Sequence, residues 1–312
     1  MIRIMTSEAS TKVPRPEPTR HLVRATCEYF TEVQLWPLRT KLDPDRWLEN
    51  FSVSEEEHAT HLLGAFLYFS DAITSQLFES AFQALSLHPM FPRCAFLQAQ
   101  GQWRAFFDNV LVTQVTGENP NSTDSGYAFL RMARQNLGIP QERIGSPIEI
   151  ANRLLAEGPR PVVFVDDFVG SGRQCVETWK RPMALSGGRS ASFEKLASVH
   201  GSSFFYCPLI CTEQGFQRLQ QQCVGLTLSC PHIIGASYSA LAPDSLIWSD
   251  QLRPTAEEFL HGASGRAGIP EDQWKGFANL GLSLAFAHSV PDATMPIFYW
   301  EQNGWHPLIR RT

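Results

Sequence analysis

The chain has 312 residues, 43% of them hydrophobic and 18% charged, which excludes a disordered chain and is enough apolar material to bury a real core. Twenty-six basic against 31 acidic residues leave a formal charge of -5, so no global basic field exists and nucleic acid would have to be met through a local patch or a partner protein. No apolar run reaches the roughly 18 residues that span a bilayer, and seven cysteines without a Cys-x-x-Cys point to reduced thiols in a cytoplasmic protein rather than a secreted disulfide framework.

Positions 1–20, with Ser7, Ser10, Pro14, Pro16 and Pro18, read as a flexible arm. Residues 21–90 read as a helical lobe, in which Leu22, Cys27, Tyr29 and Phe30 fall near one face and Trp47, Leu48 and Phe51 precede a break. Ser54 and Glu57 have the spacing of a capping box and predict a helix start there. Leu62, Leu63, Phe66, Phe69, Ile73, Leu77, Phe78 and Phe82 then recur at three- and four-residue steps, which predicts one long segment buried along a broad face. His58 and His61 are expected on its surface.

From 91 to 312 the grammar changes to strands alternating with helices. A strand is predicted at 109–115, a polar loop at 116–126, and a helix at 127–136 stopped by Gly138 and Pro140. Helix at 147–157, strand at 161–166, helix at 171–180, strand at 204–210, helix at 214–222 and strand at 225–228 continue the alternation. Apolar runs without a period of two belong to strands covered on both faces, as in parallel sheets. The fold class expected is α/β: an open, mostly parallel sheet with helices on both faces, joined to the helical lobe. The segment 186–192 is the most flexible-looking interior loop, a surface connection or a lid.

Chemistry concentrates in VVFVDDFVGSGRQ, residues 162–174. The apolar strand carries Asp166 and Asp167 toward the carboxyl edge of the sheet, where such folds place ligands. Adjacent carboxylates repel unless a cation or sugar hydroxyls use them. Gly170, Ser171 and Gly172 let the backbone turn tightly into a helix whose amino-terminal amides form an anion cradle.

An acidic pair, two apolar residues and a small-residue loop opening a helix resemble the phosphoribosyl pyrophosphate motif of type I phosphoribosyltransferases. The resemblance implies that Asp166 and Asp167 engage the ribose hydroxyls, directly or through Mg²⁺, and that Gly170, Ser171, Gly172, Arg173 and Gln174 hold the 5-phosphate. Mg²⁺ is the implied cofactor, with no organic one. Arg173 adds charge or points to solvent. Two positions depart from the pattern: Gly170 stands where purine enzymes often carry an Asp, and Gln174 stands where the family often has Thr. The loop TGENPNSTDSG (116–126) resembles the element that holds pyrophosphate; Thr116, Gly117, Glu118, Ser125 and Gly126 are its candidates, and Glu118 and Asp124 could hold a metal or orient a water. An ordinary polar surface loop is the alternative.

The wider likeness, in WLENF (47–51), the two loops and the closing HSVPDATMPIFYW (288–300) with Trp305, Pro307, Leu308 and Arg310, is to a divergent bacterial branch of conflict and antiphage effectors. It implies a retron-type setting, with a reverse transcriptase and its DNA-RNA hybrid as partner and the helical lobe as docking surface; an oligomer is compatible with it.

Cys207, Cys211, Cys223, Cys230 and His232 crowd one region, but their spacing suits buried thiols better than zinc. His288 can approach the sugar site from the carboxyl-terminal segment, and Phe298, Tyr299 and Trp300 read first as core. A nucleoside triphosphatase would need a Gly-x-x-x-x-Gly-Lys-Ser/Thr, which the chain lacks. A nucleotide-binding module without turnover stays open, and a DNA-binding regulator would need a basic face.

Overall fold

The computed structural model describes residues 18–88, 95–117 and 126–311. The arm expected at 1–20 lies almost wholly outside them. The first elements are α1 (Arg20–Glu32), α2 (Pro44–Leu48), α3 (Glu56–Gly64), β1 (Leu67–Phe69), α4 (Asp71–Gln83) and α5 (Phe96–Asn109). Then come β2 (Leu111–Gln114), α6 (Gly126–Gln135), α7 (Pro147–Glu157), β3 (Val162–Val169), α8 (Arg173–Lys180), β4 (Met183–Leu185) and β5 (Arg189–Ala191). The remainder is α9 (Phe193–Val199), β6 (Phe204–Thr212), α10 (Glu213–Gln222), β7 (Leu226–Leu228), β8 (His232–Ile234), α11 (Ala256–Ala267) and β9 (Leu284–Phe286).

Two expectations in the amino-terminal part are corrected. The capping box is formed by Ser52 and Glu55, two residues before Ser54 and Glu57: the Glu55 carboxylate accepts from the Ser52 amide at 3.0 Å and from its hydroxyl at 2.8 Å. The long periodic segment is not one helix either. It breaks after Gly64, because β1 pairs in parallel with β9 far along the chain and the Ser70 hydroxyl then caps α4 by accepting from the Ile73 amide. His61 is not a surface residue, and His58 is half-buried. His61 is buried with Nδ1 3.0 Å from the Ile247 carbonyl, and the His58 ring stacks on Phe259 of α11, since the segment before α11 covers this face.

The central sheet is parallel, in the order β2-β3-β6-β7, with β8 pairing the far end of β6. β3 and β6 are buried along nearly their whole length because helices cover both faces. Side chains of alternate residues leave a strand on opposite sides. Val163 and Val165 therefore join Phe205, Cys207 and Leu209 under α4 and α6. Val162 and Phe164 join Phe204 and Tyr206 under α7, α8 and α9. A third core sits away from the sheet, where Trp47 and Leu62 of the first helices and Phe66 just before β1 meet Phe259, Phe298 and Leu308 of the carboxyl-terminal part. Trp47 and Trp305 both donate their indole N–H to the Ile297 carbonyl, at 2.9 and 3.0 Å. Residues 186–192 form the turn and second strand of a β4–β5 hairpin, with Gly187 and Gly188 at φ of 74° and 70°.

Candidate functional site

β3 runs three residues further than its apolar stretch, because β6 pairs with it as far as Val169↔Cys211. Its other neighbour, β2, stops at Gln114↔Val165. The acid pair thus lies one step beyond the carboxyl end of β2, where one side of β3 opens. Strand alternation sends the two carboxyls to opposite faces. Asp166 continues the face of Phe164, and its Oδ2 accepts from the Tyr206 hydroxyl at 2.8 Å. Asp167 continues the face of Val165, and its Oδ2 lies 2.8 Å from His288 Nε2 and 3.1 Å from Ser289 Oγ.

Both acids are nearly buried yet line one cleft of about 790 Å³. Burial, and then the charge of Asp167, hold Asp166 well above the ordinary carboxyl range, against the Tyr206 hydrogen bond. Burial also pushes Asp167 upward, but the hydrogen bond and field of His288, with help from Asp166 and Ser289, outweigh it and hold Asp167 low. The two neighbouring acids are thus shifted in opposite directions, Asp166 toward keeping its proton and Asp167 toward giving it up.

The loop after β3 forms the other half of the cleft. Gly172 caps α8 in the left-handed region at φ 73°, which a side chain rarely adopts. The Val176 amide bonds back to the Gly172 carbonyl at 3.2 Å, and in the turn before it the Arg173 amide donates to Ser171 Oγ at 3.4 Å, so these amides belong to the amino end of the helix. The loop is braced from behind by α10. Thr212 Oγ1 donates to the Gly170 carbonyl at 2.6 Å and accepts from the Gly215 amide at 2.9 Å. A Cβ on Gly215 would lie 2.4 Å from that same carbonyl, so only glycine lets α10 approach so closely.

A family model, described as PRTase-CE, matches residues 44–311 of this sequence. The chain belongs to the PRTase-CE family. No curated protein and no solved structure matches it. The parallel sheet with helices on both faces agrees with a phosphoribosyltransferase-like fold.

In this PRTase-CE chain, Asp166, Asp167, Gly170, Ser171, Gly172, Arg173 and Gln174 all border the one cleft. Arg173 donates from Nε to Glu177 at 2.6 Å, one turn on, so its guanidinium is held along α8. Of the second loop, Gly117 and Gly126 also border the cleft, whereas Glu118, Asp124 and Ser125 lie outside the described residues. Thr116 is turned inward, where its hydroxyl and the Gly117 carbonyl accept from Arg181 at 3.2 and 2.8 Å. A Cβ placed on Gly117 would lie 3.8 Å from Gln174 Nε2, so the two loops approach each other there.

The departure at Gly170 has a steric cause. A Cβ there would meet Phe168, Leu280 and Ala293 at 3.1, 3.2 and 3.5 Å, so the carboxyl-terminal segment fills the space an Asp would need. Tyr206, Ser289, Thr212, Gly215 and Arg181 were not singled out from the sequence. Only Thr212, three residues before Gly215 at a strand-to-helix junction, left a readable sign, as an N-cap.

The donor set bears on Mg²⁺, which wants near-octahedral oxygen and usually keeps waters and ligand phosphates. Asp166 and Asp167 each already hold a protein donor, and among the described residues no group of three or more His, Cys, Asp or Glu could hold a metal. An ion held here would have to complete its shell with oxygens from a ligand or from water. Cys207, Cys211 and Cys223 are buried among apolar side chains.

Proposed function

We propose that the cleft binds the 5-phosphoribosyl group of phosphoribosyl pyrophosphate or of a nucleotide, and that the protein acts at the anomeric carbon, by transfer or by glycosidic cleavage. The observation that carries this reading is that two inequivalent carboxyls and a glycine-lined helix amino end open onto the same space. Asp167, the acid held low, accepts from a ribose hydroxyl, and Asp166 meets a second sugar oxygen on the other face. The amides of 171–174 receive the phosphate, which fixes the sugar between two anchors. As the bond at C1 breaks, its electron pair leaves with pyrophosphate or base, and a base nitrogen or water attacks the electron-poor carbon. Mg²⁺ brought by the ligand and met by Asp166 and Asp167 would neutralise charge on the departing group.

The Asp166→Asn/Asp167→Asn double variant should lose more than about a hundredfold in affinity for phosphoribosyl pyrophosphate by calorimetry, since two charge-bearing contacts go together. Undiminished binding and turnover would refute the reading. A second reading, a nucleotide sensor or assembly subunit without turnover, is favoured by the closure of position 170 by Leu280 and Ala293. Binding without product separates it from the first.

The finer setting is proposed on the resemblance of the outlying segments: a cytoplasmic toxin effector of a retron-type antiphage system, docking on a reverse transcriptase with its DNA-RNA hybrid, alone or as an oligomer. Residues 47–51 and 288–300, which carry that resemblance, pack on each other through Trp47 and Phe298. Metabolite profiling of cells expressing the active protein and the Asp-pair variant tests it; an unchanged nucleotide pool in both counts against an effector.

A further inference from the structure

The second acid of the motif is held by residues from outside the motif. His288 and Ser289 follow β9, 121 and 122 positions from Asp167, and both bind the same oxygen, Oδ2. They are themselves fixed. The Phe286 amide closes the turn onto the Ser289 carbonyl at 2.8 Å. The His288 ring lies edge-on to Phe129 of α6, 5.7 Å between centroids, and 5.4 Å from Phe286 of β9. Its side chain is 19% exposed, so the ring has little room to swing. Tyr206, on a neighbouring strand, plays the corresponding part for Asp166 on the opposite face.

A carboxylate free to rotate would give up entropy, and lose its alignment, each time a sugar arrived. We infer that His288 and Ser289 are positioning residues that lock the Asp167 carboxylate in the orientation that meets a ribose hydroxyl, so that sugar recognition is complete only when the segment after β9 is docked on the sheet. The inference rests on the reading of the cleft as a phosphoribosyl site. It differs from a merely structural staple in what it demands: losing the two donors must change the recognition of the sugar, not only the stability of the fold.

The test uses the full chain and two probes, ribose 5-phosphate and 2-deoxyribose 5-phosphate, which share the phosphate and differ by one hydroxyl. His288→Phe keeps the ring between Phe129 and Phe286 and removes the donor; Ser289→Ala removes the hydroxyl alone; His288→Asn restores a donor on a shorter side chain. The wild type should prefer the ribose compound by roughly tenfold or more. His288→Phe should bring that preference toward unity while binding of the deoxy compound changes little, Ser289→Ala should erode it less, and His288→Asn should recover part of it. A preference unchanged in both His288→Phe and Ser289→Ala overturns the inference and leaves the proposed function standing. A wild type that binds neither sugar phosphate overturns both. Should His288→Phe fail to fold, Ser289→Ala decides by the same ratio.

Discussion

The lining of the cleft comes from two kinds of chain. One part is a single stretch, Asp166 to Gln174, in which strand, turn and helix follow each other without interruption. Most of the rest is gathered from Val115, Gly117 and Gly126, Tyr206, Phe277, the residues 289–293 and Arg311, which meet only after folding. The stretch derives its geometry from local rules: the pairing of β3, a left-handed Gly172, and the open amides of a helix start. The gathered part depends on whatever holds the carboxyl-terminal segment in place. The first kind of site tolerates a poor neighbour, while the second is only as firm as its remote anchors.

The sharpest way to break the gathered part without touching the cleft is Trp47→Ala. Trp47 is fully buried, stacks on Phe298 and donates to Ile297. Its loss should cost about 3–5 kcal/mol in urea unfolding and weaken phosphoribosyl pyrophosphate binding. A variant that loses stability but keeps full affinity would show the gathered part to be self-supporting.

Gly215→Ala probes the contiguous stretch. Alanine gains up to about 1 kcal/mol over glycine within a helix, but here its Cβ would strike the Gly170 carbonyl, which is backbone and cannot turn aside. Overpacking at about 1–3 kcal/mol outweighs this, so a net destabilisation of up to about 2 kcal/mol is expected, together with weaker binding of inorganic phosphate. A stabilised Gly215→Ala would mean that the loop is not braced as described.

The smallest effect separates the two acids. The folded chain holds the Asp166 proton more tightly than the unfolded chain does, so Asp166 supports folding at pH below the ordinary carboxyl range, and this support is lost as pH rises through its elevated folded value. Asp167 has the opposite sign: its depressed value supports folding above the ordinary range and is lost on acidification. Asp166→Asn should therefore gain stability relative to wild type between pH 4 and 8, measured as urea midpoints. A constant difference across that range would dispose of the asymmetry.

How much of this was legible follows the same division. The helix at 147–157 matches its prediction residue for residue, because Ser146, Pro147 and Glu149 encode a cap within four positions. The parallel sheet and the loop at 170–174 were equally local. The long helix expected through Phe82 failed where β1 finds β9, a partner more than 200 residues away that no window could contain. His61 was misplaced for a like reason, since the chain that covers it comes from 247 onward. His288 was visible as an approach, but Tyr206 and Ser289 were not, because a tyrosine on a buried strand and a serine before a proline-rich turn look ordinary until the acids they hold are in view. The loop at 116–126 keeps part of its reading outside the described residues.

The shared carbonyl of Ile297 has a corollary for shortening the chain. Two indoles from opposite ends of the sequence hang on one peptide plane. Trimming inward from position 311 first removes Ile309 and Leu308, both buried in this core, and with Leu308 the carbonyl that accepts from the Asp43 amide at 2.8 Å. The helices around Trp47 lose their seat within these few residues, so a truncation series should fail as a cliff rather than a slope.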